Sequence, residues 1–156
     1  YITWKKFEDL LRTSALYFSR PDRFDDPFEG RLSIGNKIKE STSWKAFKDA
    51  YKFNYPQEQA DASREAMRRF VFISCWHRAR VENVQMWDAY AGGNPESVVV
   101  VTSVDALSRA MPERITKSGL KYHQNHFPRT MFGHTAIFFY KPVEYSFENE
   151  FRLLLV

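Results

Sequence analysis

Helical spacing of apolar residues is clearest at the start of the chain. Trp4, Phe7, Leu10 and Leu11 fall on one face of a helix, and Thr3 is a residue type that caps a first turn. The pattern therefore predicts an N-terminal helix that packs this stripe against a core.

The same reasoning predicts further helices and six strands. Polar, helix-favouring or periodic segments predict helices over 43–54, 56–69, 82–91 and 102–110. Apolar, β-branched or aromatic runs predict strands over 15–19, 70–76, 97–102, 119–123, 134–140 and 151–156. Strands and helices alternate at first, whereas the last strands resemble a meander. We therefore predict an α+β fold, with a mixed, mainly antiparallel sheet flanked by helices.

These elements also predict which side chains form the core. An apolar stripe or a strand interior is normally removed from water. Trp44, Phe47 and Tyr51 should pack one helix onto the body. The residues expected to be largely buried elsewhere are Trp4, Phe7, Leu10, Leu11, Phe70, Phe72, Val99 and Val101.

Length and composition indicate one globular domain. The chain has 156 residues, of which 44% are hydrophobic and 27% charged, so it can bury a core. Its single cysteine, Cys75, excludes an internal disulfide framework. Apolar runs are too short to cross a bilayer, and the start resembles no signal peptide, so we expect a cytoplasmic protein with no membrane contact. The last residues resemble a strand cut in mid-course, so we expect 1–156 to be a single domain truncated at both ends.

Aromatic residues make up 17% of the chain, and many of them lie beside lysines. Trp4-Lys5-Lys6-Phe7 is one example. A basic and aromatic surface can stack with bases and neutralise phosphates, so nucleic acid is one candidate partner. The net charge of +4 is modest, however, and aromatics at helical spacing are more often core residues.

Two weaker constellations involve cysteine and histidine. Cys75 and His77 flank Trp76 and can project from one face of a strand, although a cysteine in an apolar strand is usually inert. His123 and His126 have a spacing that binds metals on a helix, but their flanking residues favour strand and loop. We therefore expect no metal site.

The segment near the end of the chain carries two closely spaced carboxylates. In an extended chain, Glu148, Glu150 and Arg152 fall on one face. Carboxylates roughly 7 Å apart suit glycosidic chemistry, in which one stabilises an oxocarbenium-like transition state and the other activates an acceptor. An exposed strand with a Glu–Arg ladder is the alternative, and periodicity alone favours it.

The loop over 20–30 is the second candidate region. Asp25, Asp26 and Glu29 surround Pro27, which is typical of a rigid turn. The alternative is a cleft wall, in which Arg20 or its neighbour Arg23 meets a phosphate.

In their order along the chain, these pieces resemble a bacterial family catalogued as the domain of unknown function 2971. The loop over 16–30, the Ile73-Ser74-Cys75-Trp76 strand and the element Met86-Trp87-Asp88-Ala89-Tyr90-Ala91 match that family's pattern. Its closing pattern is matched by Lys141, Tyr145, Glu148, Glu150 and Arg152. The resemblance implies that the loop acids, Met86, Trp87, Tyr90 and the closing carboxylates gather around one cleft.

A more distant resemblance is to the ADP-ribosyltransferase-like fold, in which a late Glu-x-Glu serves NAD-dependent transfer. It implies that Glu150 contacts the nicotinamide ribose and that Glu148 lies beside the acceptor. The residues that it implies for NAD binding are Arg20, Ser74, Tyr90 and Arg152.

The resulting hypothesis is an NAD-dependent ADP-ribosyltransferase-like enzyme of a bacterial defence or toxin system. It needs no bound cofactor, because NAD is the co-substrate. The alternative is a noncatalytic module that binds nucleic acid or protein through the basic and aromatic face. A third reading gives the Glu148–Arg152 segment a purely architectural role.

Overall fold

The structure is a computed structural model that describes residues 1–24, 26, 29–30, 49, 57–91, 95–123 and 135–156. The helix predicted over 43–54, with its stripe of Trp44, Phe47 and Tyr51, lies outside the described residues apart from Asp49. Asp25 of the predicted loop also lies outside them.

Four α-helices and seven strands are described. The helices are α1 (Trp4–Thr13), α2 (Gln57–Phe70), α3 (Val84–Ala91) and α4 (Val104–Ala110). The strands are β1 (Ile2–Thr3), β2 (Phe72–His77), β3 (Ser97–Val98), β4 (Thr116–Gly119), β5 (Lys121–His123), β6 (Tyr140–Pro142) and β7 (Glu150–Leu155). Short 3₁₀ helices cover Pro21–Arg23, Ala136–Phe139 and Val143–Glu148. None of the described helices is long and apolar enough to cross a lipid bilayer.

The strands form three small sheets, of which one carries the candidate site. In that sheet β7 is central and pairs antiparallel with β2 on one side and β4 on the other. The pair β1–β3 is antiparallel, and the pair β5–β6 is parallel. The prediction of an α+β fold with mainly antiparallel strand pairing is therefore confirmed, although the strands form three small sheets rather than one mixed sheet.

Strand β7 is central in its sheet and is buried on both faces. Leu153 and Leu154 point to opposite faces, and neither has exposed surface. Each contributes to a separate core. One comprises Val71, Ile73, Ile137, Phe138 and Leu154, and the other comprises Leu107, Ile115, Phe151 and Leu153.

Three predicted strands are shorter than the sequence indicates, and the run over 15–19 is reduced to a single antiparallel bridge between Ser19 and Ile73. The run over 97–102 forms a strand only at Ser97–Val98, because Ser103 caps α4 and draws the chain out of the sheet. The Ser103 hydroxyl accepts a hydrogen bond from the amide of Ala106 at 3.1 Å. Within the segment over 134–140, the described part is mostly the 3₁₀ helix Ala136–Phe139. That helix supplies two core residues, so the apolar run was a buried helix rather than a strand.

The prediction that the α1 stripe is buried is wrong. Trp4 is 47% exposed and Leu11 is 63% exposed, and α1 has no buried residue. The rings of Trp4 and Phe7 lie 5.5 Å apart, and the Trp4 indole donates a hydrogen bond to Glu8. Phe7 and Leu10 are half-buried, so the stripe is only partly covered by the rest of the protein. Three other residues expected in the core are also exposed, namely Phe70, Phe72 and Val101.

A tight turn places Glu29 against the central sheet. The amide of Glu29 donates a hydrogen bond to the carbonyl of Asp26 at 3.2 Å. The next residue, Gly30, is buried and has a positive φ of 68°, which glycine adopts without strain. A Cβ at Gly30 would also collide with the ring of Phe138. The turn therefore depends on glycine, and it fixes the position of the neighbouring carboxylate.

Candidate functional site

One face of the central sheet changes from apolar to charged along β7. Leu154 lies in the core, whereas Arg152 and Glu150 follow on the same face at intervals of two residues. Across the β2 pairing, Cys75 lies opposite Arg152 and His77 lies opposite Glu150. This face therefore holds a row of polar side chains that continues directly from a hydrophobic cluster.

Arg152 is the centre of a buried ion network. Its side chain has no exposed surface, and its two Nη atoms lie 2.6 and 2.8 Å from the Glu29 carboxylate oxygens. Nη1 also donates to the carbonyl of Phe138 at 2.7 Å, and Nε donates to Glu150 at 2.5 Å. The bidentate contact joins residues 123 positions apart, so it ties the turn at Gly30 to the sheet.

Lys141 extends the network from β6 to a second glutamate. Its ammonium group contacts Glu150 Oε1 at 3.1 Å and forms a short contact with Glu148 Oε2. The ammonium also lies 4.6 Å from the centre of the Tyr145 ring. Glu148 and Glu150 are each 4% exposed, so one buried cation is shared by two buried carboxylates.

Tyr90 connects this buried cluster with the surface. Its hydroxyl donates a hydrogen bond to Glu148 Oε1 at 2.9 Å, and the residue is 47% exposed. The two oxygens of Glu148 therefore face different groups, a partly exposed phenol on one side and Lys141 on the other. The hydrogen bond from Tyr90 therefore links the buried Glu148 carboxyl to a side chain that is partly exposed.

Glu148 does not lie in an extended strand, which corrects the geometry expected from the sequence. It ends the 3₁₀ helix Val143–Glu148, and Asn149 follows with a positive φ of 37° before β7 begins. His77 Nδ1 donates to the carbonyl of Glu148 at 2.6 Å, because a carbonyl oxygen only accepts. The amide of Arg78 donates to the carbonyl of Asn149 at 3.0 Å. The end of β2 thus holds the turn that orients Glu148.

The environment separates the proton affinities of the two glutamates. Desolvation by burial, with the neighbouring Glu150 adding to it, raises the pKa of Glu148 to about 7, although Lys141 opposes the shift. For Glu150, desolvation is outweighed by Arg152 and Lys141, and its pKa is held well below the usual range. Desolvation and the adjacent Glu148 raise the pKa of Tyr90, so its hydroxyl keeps its proton at neutral pH. The pair therefore combines a permanently ionised carboxylate with one that titrates near neutrality.

These shifts predict a bell-shaped dependence of stability on pH. Between pH 4.5 and about 7 the folded state binds the Glu148 proton more tightly than the unfolded state, so stability falls as pH rises through that window. The expected loss is about 3 kcal/mol, from roughly 1.4 kcal/mol per pKa unit. Below pH 4.5 the low pKa of Glu150 has the opposite sign, and stability falls as the solution becomes more acidic.

Denaturant melts from pH 3 to 8 measure this dependence. Glu148→Gln, which does not titrate, should remove the decline between pH 4.5 and 7 and leave the acid limb. A decline of the same size in both proteins would assign it to other groups.

The other predicted site residues lie in different surroundings. Arg20 donates from Nε and Nη2 to Asp22, at 3.0 and 2.9 Å. Ser74 lies on the opposite face of the sheet from Arg152, where its hydroxyl accepts from the Trp76 indole at 3.1 Å. The backbone of Asp26 forms the turn before Glu29. Of the predicted site, the structure therefore brings together Glu29, Tyr90, Glu148, Glu150 and Arg152.

Sequence reasoning gave no role to two residues of the cluster. Lys141 was part of the family-like closing pattern, but nothing in its spacing indicated that it bridges two glutamates. His77 was considered only as a partner for Cys75. Cys75 is exposed and lies opposite Arg152 across the sheet.

A shallow groove of about 560 Å³ flanks the turn that carries Glu148. One wall is the segment from the end of β2 to the start of α3, and the other is formed by Phe147 and Asn149, the two neighbours of Glu148. Among the described residues no group of three or more His, Cys, Asp or Glu side chains is arranged to hold a metal ion. His126 lies outside the described residues, as does the side chain of His123.

Comparison with known proteins gives no relative from which a role can be transferred. No protein-family model, no curated protein and no solved structure matches the chain. The resemblances drawn from the sequence therefore stay predictions, and function has to be argued from the chemistry of the cluster.

Proposed function

We propose that the chain is an NAD-dependent, ADP-ribosyltransferase-like enzyme in which Glu148 is the general base. The observation that carries the proposal is the pair of glutamates that share Lys141 while their proton affinities are driven apart. Environments that separate two carboxyl pKa values are typical of acid–base sites, and a carboxylate pair is the usual apparatus for glycosidic bonds. A pKa of about 7 is close to the best value for a base that works at neutral pH.

In this proposal Tyr90 relays the proton, because Glu148 is itself buried. An acceptor hydroxyl gives its proton to the Tyr90 oxygen while the Tyr90 proton moves to Glu148 Oε1, 2.9 Å away. The acceptor oxygen then forms its bond to the anomeric carbon of the ribose. The electron pair of the broken glycosidic bond stays on the nicotinamide nitrogen, which leaves as the neutral base.

The roles of Glu150 and Arg152 differ from those that the resemblance implies. Arg152 is fully buried, and four of its five N–H groups already bind Glu29, Glu150 and the carbonyl of Phe138. It is therefore unsuited to bind a phosphate. Glu150 lies between Arg152 and Lys141 and is a positioning residue, since its negative charge orients the ammonium that Glu148 shares.

A second candidate function rests on a different surface. The apolar stripe of α1 leaves Trp4 and Leu11 exposed and Phe7 half-buried, next to the exposed Lys5 and Lys6. Such a face is suited to stacking with single-stranded nucleic acid or to binding a partner protein. In that function the buried ion network would serve only as architecture.

The two candidate functions predict different results when NAD is added to the protein. Calorimetric titration with NAD, followed by assay of nicotinamide release and mass spectrometry of protein and nucleic-acid acceptors, tests the enzyme. We expect saturable binding and release that requires Glu148. If the wild type neither binds NAD nor releases nicotinamide, while single-stranded RNA binds in a salt-dependent way that Trp4→Ala weakens, the noncatalytic function replaces the proposal.

A further inference from the structure

Arg78 differs from the other arginines of the structure that are held in place by a side-chain contact. Among the described residues, Arg12, Arg20 and Arg68 bind Asp9, Asp22 and Glu65 in that order, and Arg152 binds Glu29 and Glu150. The charge of each of these arginines is therefore offset by a carboxylate. Arg78 is fixed instead by a neutral amide: its Nη2 donates to Asn149 Oδ1 at 3.2 Å. The side-chain nitrogen of Asn149 donates in return to the carbonyl of Arg78 at 2.5 Å. Because the amide is neutral, it does not offset the positive charge of the guanidinium, which can still attract a negatively charged partner.

The Arg78 guanidinium also lies close to the backbone of the central sheet. It lies over Gly119 of β4, where a Cβ would come within 3.2 Å of its Nη1. Glycine at this position gives the guanidinium room against the sheet edge. The group is therefore preorganised by Asn149 and Gly119, although the residue is exposed.

The surroundings of Arg78 combine this charge with apolar surface. It lines the groove of about 560 Å³ together with Phe147 and with Val81 and Val84, which are 80% and 74% exposed. The one carboxylate in the lining, Glu82, accepts a hydrogen bond from the Trp87 indole at 3.2 Å.

We propose that this groove is a nucleotide site, in which Arg78 binds a phosphate and Val81, Val84 and Phe147 contact the base or sugar. A planar guanidinium with free N–H groups matches phosphate oxygens, and a nucleotide adds the apolar faces that the valines require. The inference rests on the proposed function, since Phe147 and Asn149 place the groove beside Glu148. It assigns the phosphate to Arg78, whereas the sequence alone suggests Arg20, Arg23 or Arg152 for that contact.

Calorimetric titration with ADP tests the site, because ADP has no nicotinamide bond to cleave. We expect wild type to bind ADP saturably and Arg78→Gln to weaken binding by about tenfold or more, the range for loss of a charge-assisted contact. Gly119→Ala keeps the charge and shifts the guanidinium by only a few tenths of an ångström, so it should weaken binding by a smaller factor than Arg78→Gln. Arg80→Gln is the matched control, since Arg80 is exposed two residues further along, and its effect should stay within about threefold. Pyrophosphate should bind more weakly than ADP.

The outcomes separate this site from the proposed chemistry. Absence of ADP binding at about 5 mM, or equal weakening by Arg78→Gln and Arg80→Gln, would overturn the site. Equal affinity for pyrophosphate and ADP would overturn the contact with the base. Nicotinamide release and its loss in Glu148→Gln are measured separately. ADP binding that depends on Arg78 without any release supports the site and contradicts the enzyme, and release without such binding does the reverse.

Discussion

Arg152→Met is expected to destabilise the protein by about 3–5 kcal/mol. The substitution keeps most of the volume but leaves the buried carboxylates of Glu29 and Glu150 without their guanidinium partner. It also leaves the carbonyl of Phe138 without its donor. Denaturant melts of both proteins at pH 7 measure the change in the free energy of unfolding.

Arg12→Met is the matched control for this prediction. Arg12 binds Asp9 at 2.9 Å on the surface of α1, where the two side chains are 75% and 55% exposed. Removing such a pair should cost less than about 1 kcal/mol. Adding Glu29→Gln to Arg152→Met should restore part of the stability, because it removes an uncompensated buried charge. A cost for Arg152→Met as small as that of the control would show that water reaches the network.

Glu148→Gln is expected to lower nicotinamide release by about two to four orders of magnitude. Glutamine still accepts the hydrogen bond from Tyr90, but it cannot take up the proton that the relay delivers. In wild type, kcat/KM should rise with pH through about 7, since the base must be ionised to act. The variant should lack this rise in its residual activity.

Glu144→Gln is the control for this second prediction. Glu144 lies in the same 3₁₀ helix as Glu148, but it is exposed. Its replacement should change the rate by no more than about twofold. Tyr90→Phe keeps the ring and removes the relay, so it should approach the loss seen in Glu148→Gln. Full activity in Tyr90→Phe would contradict the relay.

The fold class was predictable because periodicity and turn signals mark most elements. Helices α1 and α2 begin and end within about two residues of their predicted limits. Burial was less predictable, because the pattern of α1 shows which face is apolar but not whether another element covers it. The strand expected after Ser97 was shortened by a cap at Ser103, a local contact that competes with the sheet.

Only part of the cluster's membership was predictable, because Arg20 and Ser74, which were named for the same site, lie in other surroundings. The family-like pattern named Glu29, Tyr90, Glu148, Glu150 and Arg152, and the structure joins all five by direct contacts or through Lys141. Sequence gave no account of the burial of Arg152. Arg152 is buried against Glu29, which lies 123 residues earlier in the chain and is positioned by the turn at Gly30. A contact between such distant residues leaves no local pattern in the sequence.

The central claim is that the cluster leaves one carboxyl titrating near neutral pH while its neighbour stays ionised. The most direct measurement is a carbon-13 NMR titration of the glutamate side-chain carboxyls, with Glu148→Gln used to assign the signal. We predict one resonance with a pKa of about 7 that is absent from the variant. If Glu148 instead titrates at the ordinary glutamate value near 4.3, no base is poised in this cluster and the proposed chemistry is contradicted.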